Sequence, residues 1–318
     1  MIETSRLSKS FDDFVAVRDL NLQVEQGELL ALLGPNGAGK TTTVRMLSAI
    51  LQPTTGWARV NGRDVVAEAD RVRRSIGMLT EQPGLYLRMS GLEYLTFFGR
   101  VYGMTDAAIE QRSLELFARF AMPGAAGRRL GTYSKGMRQK VGLIRAMLHD
   151  PAVLLLDEPT SAMDPHSAKL VRDAIVKLRN DRRSIILCTH NLAEAEVLAD
   201  RIAIINRGEI VAEGTVAGLK RQLLGTPQLE VRLDRPLNGQ LPELAEIVAV
   251  ESVEGNVIRY RTAQPAVTNP RLVQRLIGLG LGVVSLYEIP QSLEDVYLSV
   301  VASAAPEAAP LAEGEVHP

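Results

Sequence analysis

The chain is predicted to fold as a layered α/β domain over residues 1–222, followed by a small α+β domain at 228–301. Three observations predict this. Short apolar runs alternate with longer stretches of helical spacing from about residue 2 to 220. One of those runs, 29–33, passes through a glycine-rich loop into a helix. The pattern then breaks at Leu224-Gly225-Thr226-Pro227 and restarts with new strands.

Taken in order, strands are expected at 20–24, 29–33, 58–60, 76–79, 153–156, 184–189, 202–205 and 209–212. Short turns between the early strands suggest antiparallel pairing, whereas the helices between strands after Lys40 suit a parallel sheet. From 91 to about 149 the spacing is almost wholly helical, which marks a helical insert at about 84–150. The stretch 91–102 carries Leu92, Tyr94, Leu95, Phe97, Phe98, Val101 and Tyr102 and is apolar nearly all round. It suits either a fully buried helix or a helix with one face in an exposed partner groove. Beyond 227, strands are expected at 229–233, 247–250, 257–260 and 283–289, with helices at 269–279 and 292–301. The tail 302–318, rich in Ala, Pro and Glu, is expected to be disordered.

The 318 residues carry a formal net charge of −1, so no strong field argues for nucleic acid as a partner. The single cysteine, Cys188, lies in an apolar run and reads as a small buried residue without a disulfide or metal role. No basic, apolar leader opens the chain, and no run approaches the roughly 18 apolar residues of a membrane span. The chain is therefore not expected to cross a membrane by itself.

Chemistry concentrates at Gly34-Pro35-Asn36-Gly37-Ala38-Gly39-Lys40-Thr41-Thr42, which fits G-x-x-x-x-G-K-[ST] after an apolar strand and before a helix. Glycines let successive N–H groups of the loop face an anion, and the helix adds its positive N-terminal end. Lys40 is placed to reach β- and γ-phosphate oxygens, and the Thr41 hydroxyl to ligate Mg²⁺. The second signal is the buried strand Val153-Leu154-Leu155-Leu156, ending in Asp157-Glu158-Pro159. Acids just past the C-terminal edge of such a strand suit Mg²⁺ at Asp157, and at Glu158 a base that polarises a water for attack on the γ-phosphate. A third is Thr132-Tyr133-Ser134-Lys135-Gly136-Met137-Arg138-Gln139-Lys140, opening an amphipathic helix through Leu148. Ser134 suits a plain N-cap, or a second anion site. One nucleotide needs one cradle, so a second suggests that each serves a nucleotide held mainly by another copy.

These motifs together resemble the nucleotide-binding subunit of an ABC transporter over residues 1 to about 220. The order is phosphate loop, helical insert, Ser-x-Gly signature, Asp-Glu strand end, Ser161-Ala162-Met163-Asp164 and His190. Residues 228–300, ending in Pro290-Gln291-Ser292-Leu293-Glu294-Asp295-Val296-Tyr297-Leu298, resemble the C-terminal domain of the drug-resistance and sodium-export type. The resemblance implies a P-loop NTPase with a RecA-like parallel sheet, an antiparallel β subdomain and the helical insert. It implies that Phe11 stacks on adenine and that Asn36, Gly37, Ala38, Gly39, Lys40, Thr41 and Thr42 cradle phosphate. Glu81 stands where the family usually has glutamine, with Gln82 beside it, and either would contact Mg²⁺ and sense the γ-phosphate. His190 would hold the attacking water with Glu158, while Ser134, Gly136 and Asp164 would act across a dimer interface. The chain departs from the family pattern at Tyr133, Lys135, Met137, Ala162 and Met163, none of them a phosphate ligand or the base.

What the resemblance implies overall is an Mg²⁺-dependent ATPase that dimerises on ATP, with a second copy or a homologous subunit. It would drive a separately encoded permease, in the export direction, from the cytoplasmic face of the membrane. A soluble mechanical ATPase and an assembly scaffold share the nucleotide core and remain alternatives. A non-catalytic binding module would lack the base, and Glu158 and His190 are both present.

Overall fold

The computed structural model describes residues 1–161, 163–180, 182–237, 244, 246–290 and 292–303. They form two compact units that divide between Val216 and Ala217. The division lies earlier than the break expected at 222–228, because helix α8 (Val216–Leu224) groups with the second unit. Ala162, Gln291 and positions 304–318 lie outside the described residues, and with them the tail expectation beyond Ser303; Ala302 and Ser303 instead end the last helix.

In the first unit, β1 (Ile2–Phe11), β2 (Phe14–Val24), β4 (Thr55–Val60) and β5 (Arg63–Asp64) form an antiparallel sheet in the order β2-β1-β4-β5. The main sheet runs β10-β9-β3-β8-β7-β6, from β3 (Leu29–Leu33), β6 (Ile76–Leu79), β7 (Val153–Asp157), β8 (Ser184–Thr189), β9 (Arg201–Asn206) and β10 (Glu209–Gly214). All its pairings are parallel except β9 with β10.

This corrects the expectation for strands after Lys40: β4 pairs antiparallel with β1, and β5 with β4. For β5 the reason is local. Asn61 (φ 51°) and Gly62 (φ 75°) both adopt the left-handed conformation that a two-residue hairpin demands.

Strands of the parallel layer are buried on both faces, and their period of two sorts side chains between two cores. Leu30, Leu32, Val153, Leu155, Ile186 and Cys188 face the core shared with β2 and helix α1 (Lys40–Leu47). Leu29, Leu154, Leu156, Ile185 and Leu187 face the opposite core. Continuous apolar runs in the sequence follow from this double burial.

The second core is completed by α3 (Gly91–Val101), α4 (Asp106–Arg119) and α5 (Lys135–Met147), with α2 (Ala69–Ser75) preceding β6. No strand is assigned between α3 and α5 among the described residues, as the spacing predicts. Helix α3 resolves the open choice for 91–102: Tyr94 and Leu95 are fully buried, while Phe97 is 45% and Val101 66% exposed. Ser90 caps it with a capping box to Glu93. Helices α6 (Pro165–Asn180) and α7 (Leu192–Leu198) follow β7 and β8 and complete the βα alternation.

The second unit holds a four-stranded antiparallel sheet in the order β12-β13-β11-β14. Its strands are β11 (Gln228–Leu233), β12 (Ala249–Glu254), β13 (Val257–Arg261) and β14 (Val283–Glu288), and its last helices are α9 (Pro265–Gly278) and α10 (Leu293–Ser303). Leu229, Val231 and Leu233 alternate into a core with Ile258, Tyr260, Leu272 and Leu276. The Tyr260 hydroxyl donates to Asn269 Oδ1 at 2.7 Å, and burial pushes its pKa up to about 12. The opposite face is polar, with Glu230 held by Arg259 at 3.1 Å and Tyr287 at 2.6 Å.

Candidate active site

A pocket of about 370 Å³ opens beyond the C-terminal edge of the parallel sheet. It is built from the ends of three strands. Buried β3 delivers the glycine-rich loop, β7 delivers Asp157 and Glu158, and β8 delivers His190. In an open α/β sheet such carboxyl ends are where ligands bind.

The loop turns tightly because it has to pass under neighbouring backbone. Gly39 has φ 107°, and a Cβ there would lie 2.6 Å from the Ala16 carbonyl. A Cβ on Gly34 would meet the Ile205 carbonyl at 2.3 Å. Gly39 also N-caps α1 without a side-chain partner, so the first-turn N–H groups of α1 are free for an anion. Lys40 is only 6% exposed; its ammonium donates to the Gly34 carbonyl at 2.6 Å and to the Pro35 carbonyl at 3.1 Å, which folds it over the loop.

Thr41 Oγ1 donates to Asp157 Oδ2 at 2.9 Å. Burial raises the Asp157 pKa; the Thr41 hydrogen bond opposes the rise, and the neighbouring Glu158 adds to it. Glu158 carries a left-handed backbone, φ 51°, a conformation that costs a non-glycine residue about 1–3 kcal/mol. Several bonds hold it there. Its N–H donates to the Cys188 carbonyl at 2.9 Å, and its own carbonyl accepts from Ser161 N and from the buried Gln139 amide, both at 3.2 Å. Its Oε1 accepts from His190 N at 3.0 Å and lies 2.7 Å from His190 Nδ1. With Nδ1 committed to a carboxylate, the other ring nitrogen is the one left for a further partner. Cys188, beneath this pair, is fully buried, and desolvation holds its thiol well above the ordinary range.

Of the residues singled out in the sequence, Asn36, Gly37, Ala38, Gly39, Lys40, Thr41, Thr42, Glu81, Asp157, Glu158 and His190 all line this pocket. Between the two neighbours left open, it is Glu81 that lines it and not Gln82. Phe11 does not line it either. The aromatic ring on the wall is Phe14, whose Cα pairs with Phe11 across the β1–β2 hairpin, while Phe11 has the Lys9 ammonium 5.2 Å above its ring. Ser134, Gly136 and Asp164 also lie outside the pocket. Ser134 caps α5 by accepting from Met137 N at 3.2 Å. A Cβ on Gly136 would lie 3.8 Å from Met163, and Asp164 Oδ1 accepts from Ser167 N at 3.0 Å, which keeps its pKa low.

Sequence reasoning missed Phe14, Ala16 and Ser161 on the wall, and Gln139 behind it. Ser161 lay within the acidic motif's own turn, and Gln139 one helical turn beyond Gly136. Nearness to those motifs was the signal available.

The donor set fits Mg²⁺. A hydroxyl and carboxylates are hard oxygen ligands, and no group of three or more His, Cys, Asp or Glu among the described residues makes an all-protein cage. That suits a cation that binds through one or two carboxylates together with substrate phosphates.

Sheet order, phosphate loop and strand-end acids define a P-loop nucleotide-binding protein of the α/β class. A family model described as ABC transporter matches residues 17–161. The ABC transporter ATP-binding protein NatA of Bacillus subtilis (strain 168) is 40% identical over 224 residues, 69% of this chain and 91% of NatA. The daunorubicin/doxorubicin resistance ATP-binding protein DrrA of Streptomyces peucetius is 39% identical over 271 residues, 85% of this chain and 80% of DrrA. Among solved structures, an ATP-binding subunit of an ABC transporter superposes with a TM-score of 0.66 at 30% identity, over 71% of this chain and 94% of that one. The chain belongs to the ATP-binding subunits of ABC transporters. No helix of the described residues is long and apolar enough to cross a membrane.

Proposed function

We propose that the chain hydrolyses Mg²⁺-ATP as one half of a dimer and couples the cycle to a separately encoded membrane permease, working as an exporter. The observation that carries this reading is the convergence of Lys40, Thr41, Asp157, Glu158 and His190 on one pocket. Thr41 and Asp157, with Glu81, would hold Mg²⁺, which supplies charge neutralisation to the phosphates when bound. Lys40 and the loop N–H groups bind and orient the phosphates. Glu158 accepts the proton of the attacking water, and His190, in contact with Glu158, helps orient that water and the γ-phosphate.

Ser134, Gly136 and Asp164 lie outside the chain's own pocket, which supports a role on a nucleotide held by a second copy or a homologous subunit. Turnover and ATP-dependent assembly, compared for wild type and Glu158→Gln with Mg²⁺ present or chelated, test this reading. Loss of activity on chelation is the expected result.

A mainly apolar groove of about 710 Å³ along α3, lined by Met89, Leu92, Phe97 and Val101 together with Glu93 and Arg100, supports the permease. An amphipathic helical segment of a permease fits such a mixed lining. This groove favours transport over a soluble mechanical ATPase or an assembly scaffold. It would also place the chain peripherally, at the cytoplasmic face. The relative named for daunorubicin/doxorubicin resistance supports export. The net charge of −1 gives no support to nucleic acid as a partner.

For the adenine we assign Phe14 rather than Phe11. Phe14→Ala is expected to weaken ATP binding about tenfold, the worth of one base stack, while Phe11→Ala changes it little. Equilibrium titration of both variants checks this, and a larger loss for Phe11→Ala would restore the first expectation.

The second unit we assign to stabilising or regulating the dimer. Deleting 228–318 should shift the ATP-dependent monomer–dimer balance toward monomer in light scattering. Unchanged dimerisation and turnover would remove that role.

A further inference from the structure

Glu194 is a buried carboxylate with no part in the hydrolytic scheme. It lies on α7 and is 3% exposed. Its Oε1 accepts from Thr160 Oγ1 at 2.7 Å and its Oε2 from Thr189 Oγ1 at 3.0 Å. Its N–H donates to Asn191 Oδ1 at 3.1 Å, and Asn191 N donates to Thr189 Oγ1 at 3.0 Å. Burial raises the Glu194 pKa, and the two threonine hydroxyls counter the rise. A carboxylate out of water is tolerable only where its oxygens are bonded, so the two threonines identify what it holds.

Those threonines belong to the two turns that carry the reacting pair. Thr160 follows Glu158 by two positions, and Thr189 immediately precedes His190. The ladder between β7 and β8 ends at the pair Asp157 and Cys188, so backbone pairing stops where the chemistry begins. Beyond that edge the two turns are joined by Glu158 N–H to the Cys188 carbonyl, by the Glu158–His190 contacts themselves, and by the bridge through Glu194. Thr160 also begins the segment that brings Ser161 to the pocket wall.

We propose that Glu194 is a positioning residue for hydrolysis: its carboxylate ties the Glu158 turn to the His190 turn and thereby sets the separation of base and imidazole. The proposal rests on the hydrolytic reading above and extends it to a residue outside the pocket lining. Glu194 touches no substrate; it acts through the pair.

The test measures kcat, KM and equilibrium ATP affinity on the full chain. Glu194→Ala is expected to lower kcat by about 10²-fold, the scale of a misplacement near 1 Å, with ATP affinity within about twofold of wild type. Glu194→Gln should recover most of that rate. Its amide oxygen accepts from one threonine, and its NH₂ donates to the oxygen of the other. The decisive measurement adds Glu194→Ala to His190→Ala. If Glu194 works through the pair, the double variant turns over no more slowly than His190→Ala alone. Multiplied losses, or an unchanged kcat in Glu194→Ala, overturn the proposal while leaving hydrolysis at this site intact. Wild-type turnover in His190→Ala would remove the pair and overturn the proposal too, whereas a wild-type chain with no ATP turnover would sink the hydrolytic reading itself. Should Glu194→Ala fail to fold, Thr160→Val and Thr189→Val each delete one hydroxyl at nearly constant shape. Both must then lower kcat several-fold and show the same non-additivity with His190→Ala.

Discussion

Glu158→Gln should reduce ATP turnover by at least about 10²-fold, and toward 10⁴-fold if proton removal limits the rate, while leaving ATP affinity near wild type. The amide keeps the shape of the carboxylate, and its oxygen still accepts from His190 N, at 3.0 Å from Glu158 Oε1 in the native chain. The backbone at 158 stays pinned by Cys188, Ser161 and Gln139, because those bonds use only the peptide group. What is lost is the capacity to take a proton from water. With ATP bound and uncleaved, the variant should accumulate as a dimer in light scattering. Unimpaired hydrolysis would remove Glu158 as the base. Impaired hydrolysis without a shift toward dimer would remove the two-copy arrangement but keep the base.

Lys40→Ala should act on binding instead of chemistry alone, with ATP affinity expected to fall by about 10²-fold or more. A charge-assisted contact to phosphate in a partly desolvated pocket is worth more than its value in water, and among the described residues no other lysine lines the pocket. The ammonium, 2.6 Å and 3.1 Å from the Gly34 and Pro35 carbonyls, also braces the loop. A loss of about 1–3 kcal/mol in stability should accompany the change, read as a lower Tm. Equilibrium titration with a fluorescent ATP analogue separates the two effects. Affinity unchanged from wild type would deny the loop its phosphate.

How much was legible depended on how local each feature is. The strands 76–79 and 184–189 were read at their observed limits, since double burial demands an unbroken apolar run. Strand β1 was not among the expected strands: Glu3, Ser5, Arg6, Ser8, Lys9 and Ser10 break up its apolar side, because one face of that antiparallel layer is partly open to solvent. Strand β12 begins at Ala249, not 247, and α9 begins at Pro265, four residues before its expected start. Proline at the first helical position is a start signal that the later apolar periodicity outweighed.

By itself, the sequence determined the phosphate loop, the acids after 153–156 and the alternation of strands and helices. Each is a short segment whose glycine, lysine or apolar spacing constrains the backbone directly. Only the tertiary structure decided that Phe14 and not Phe11 lines the pocket, that Glu81 and not Gln82 does, and that Gln139 and Glu194 hold the turns bearing Glu158 and His190. Those choices turn on which loop meets which at the edge of the parallel sheet. Residues 158 and 190 become neighbours because β7 and β8 pair in one register, and that register comes from packing two cores at once, which no local run of side chains encodes.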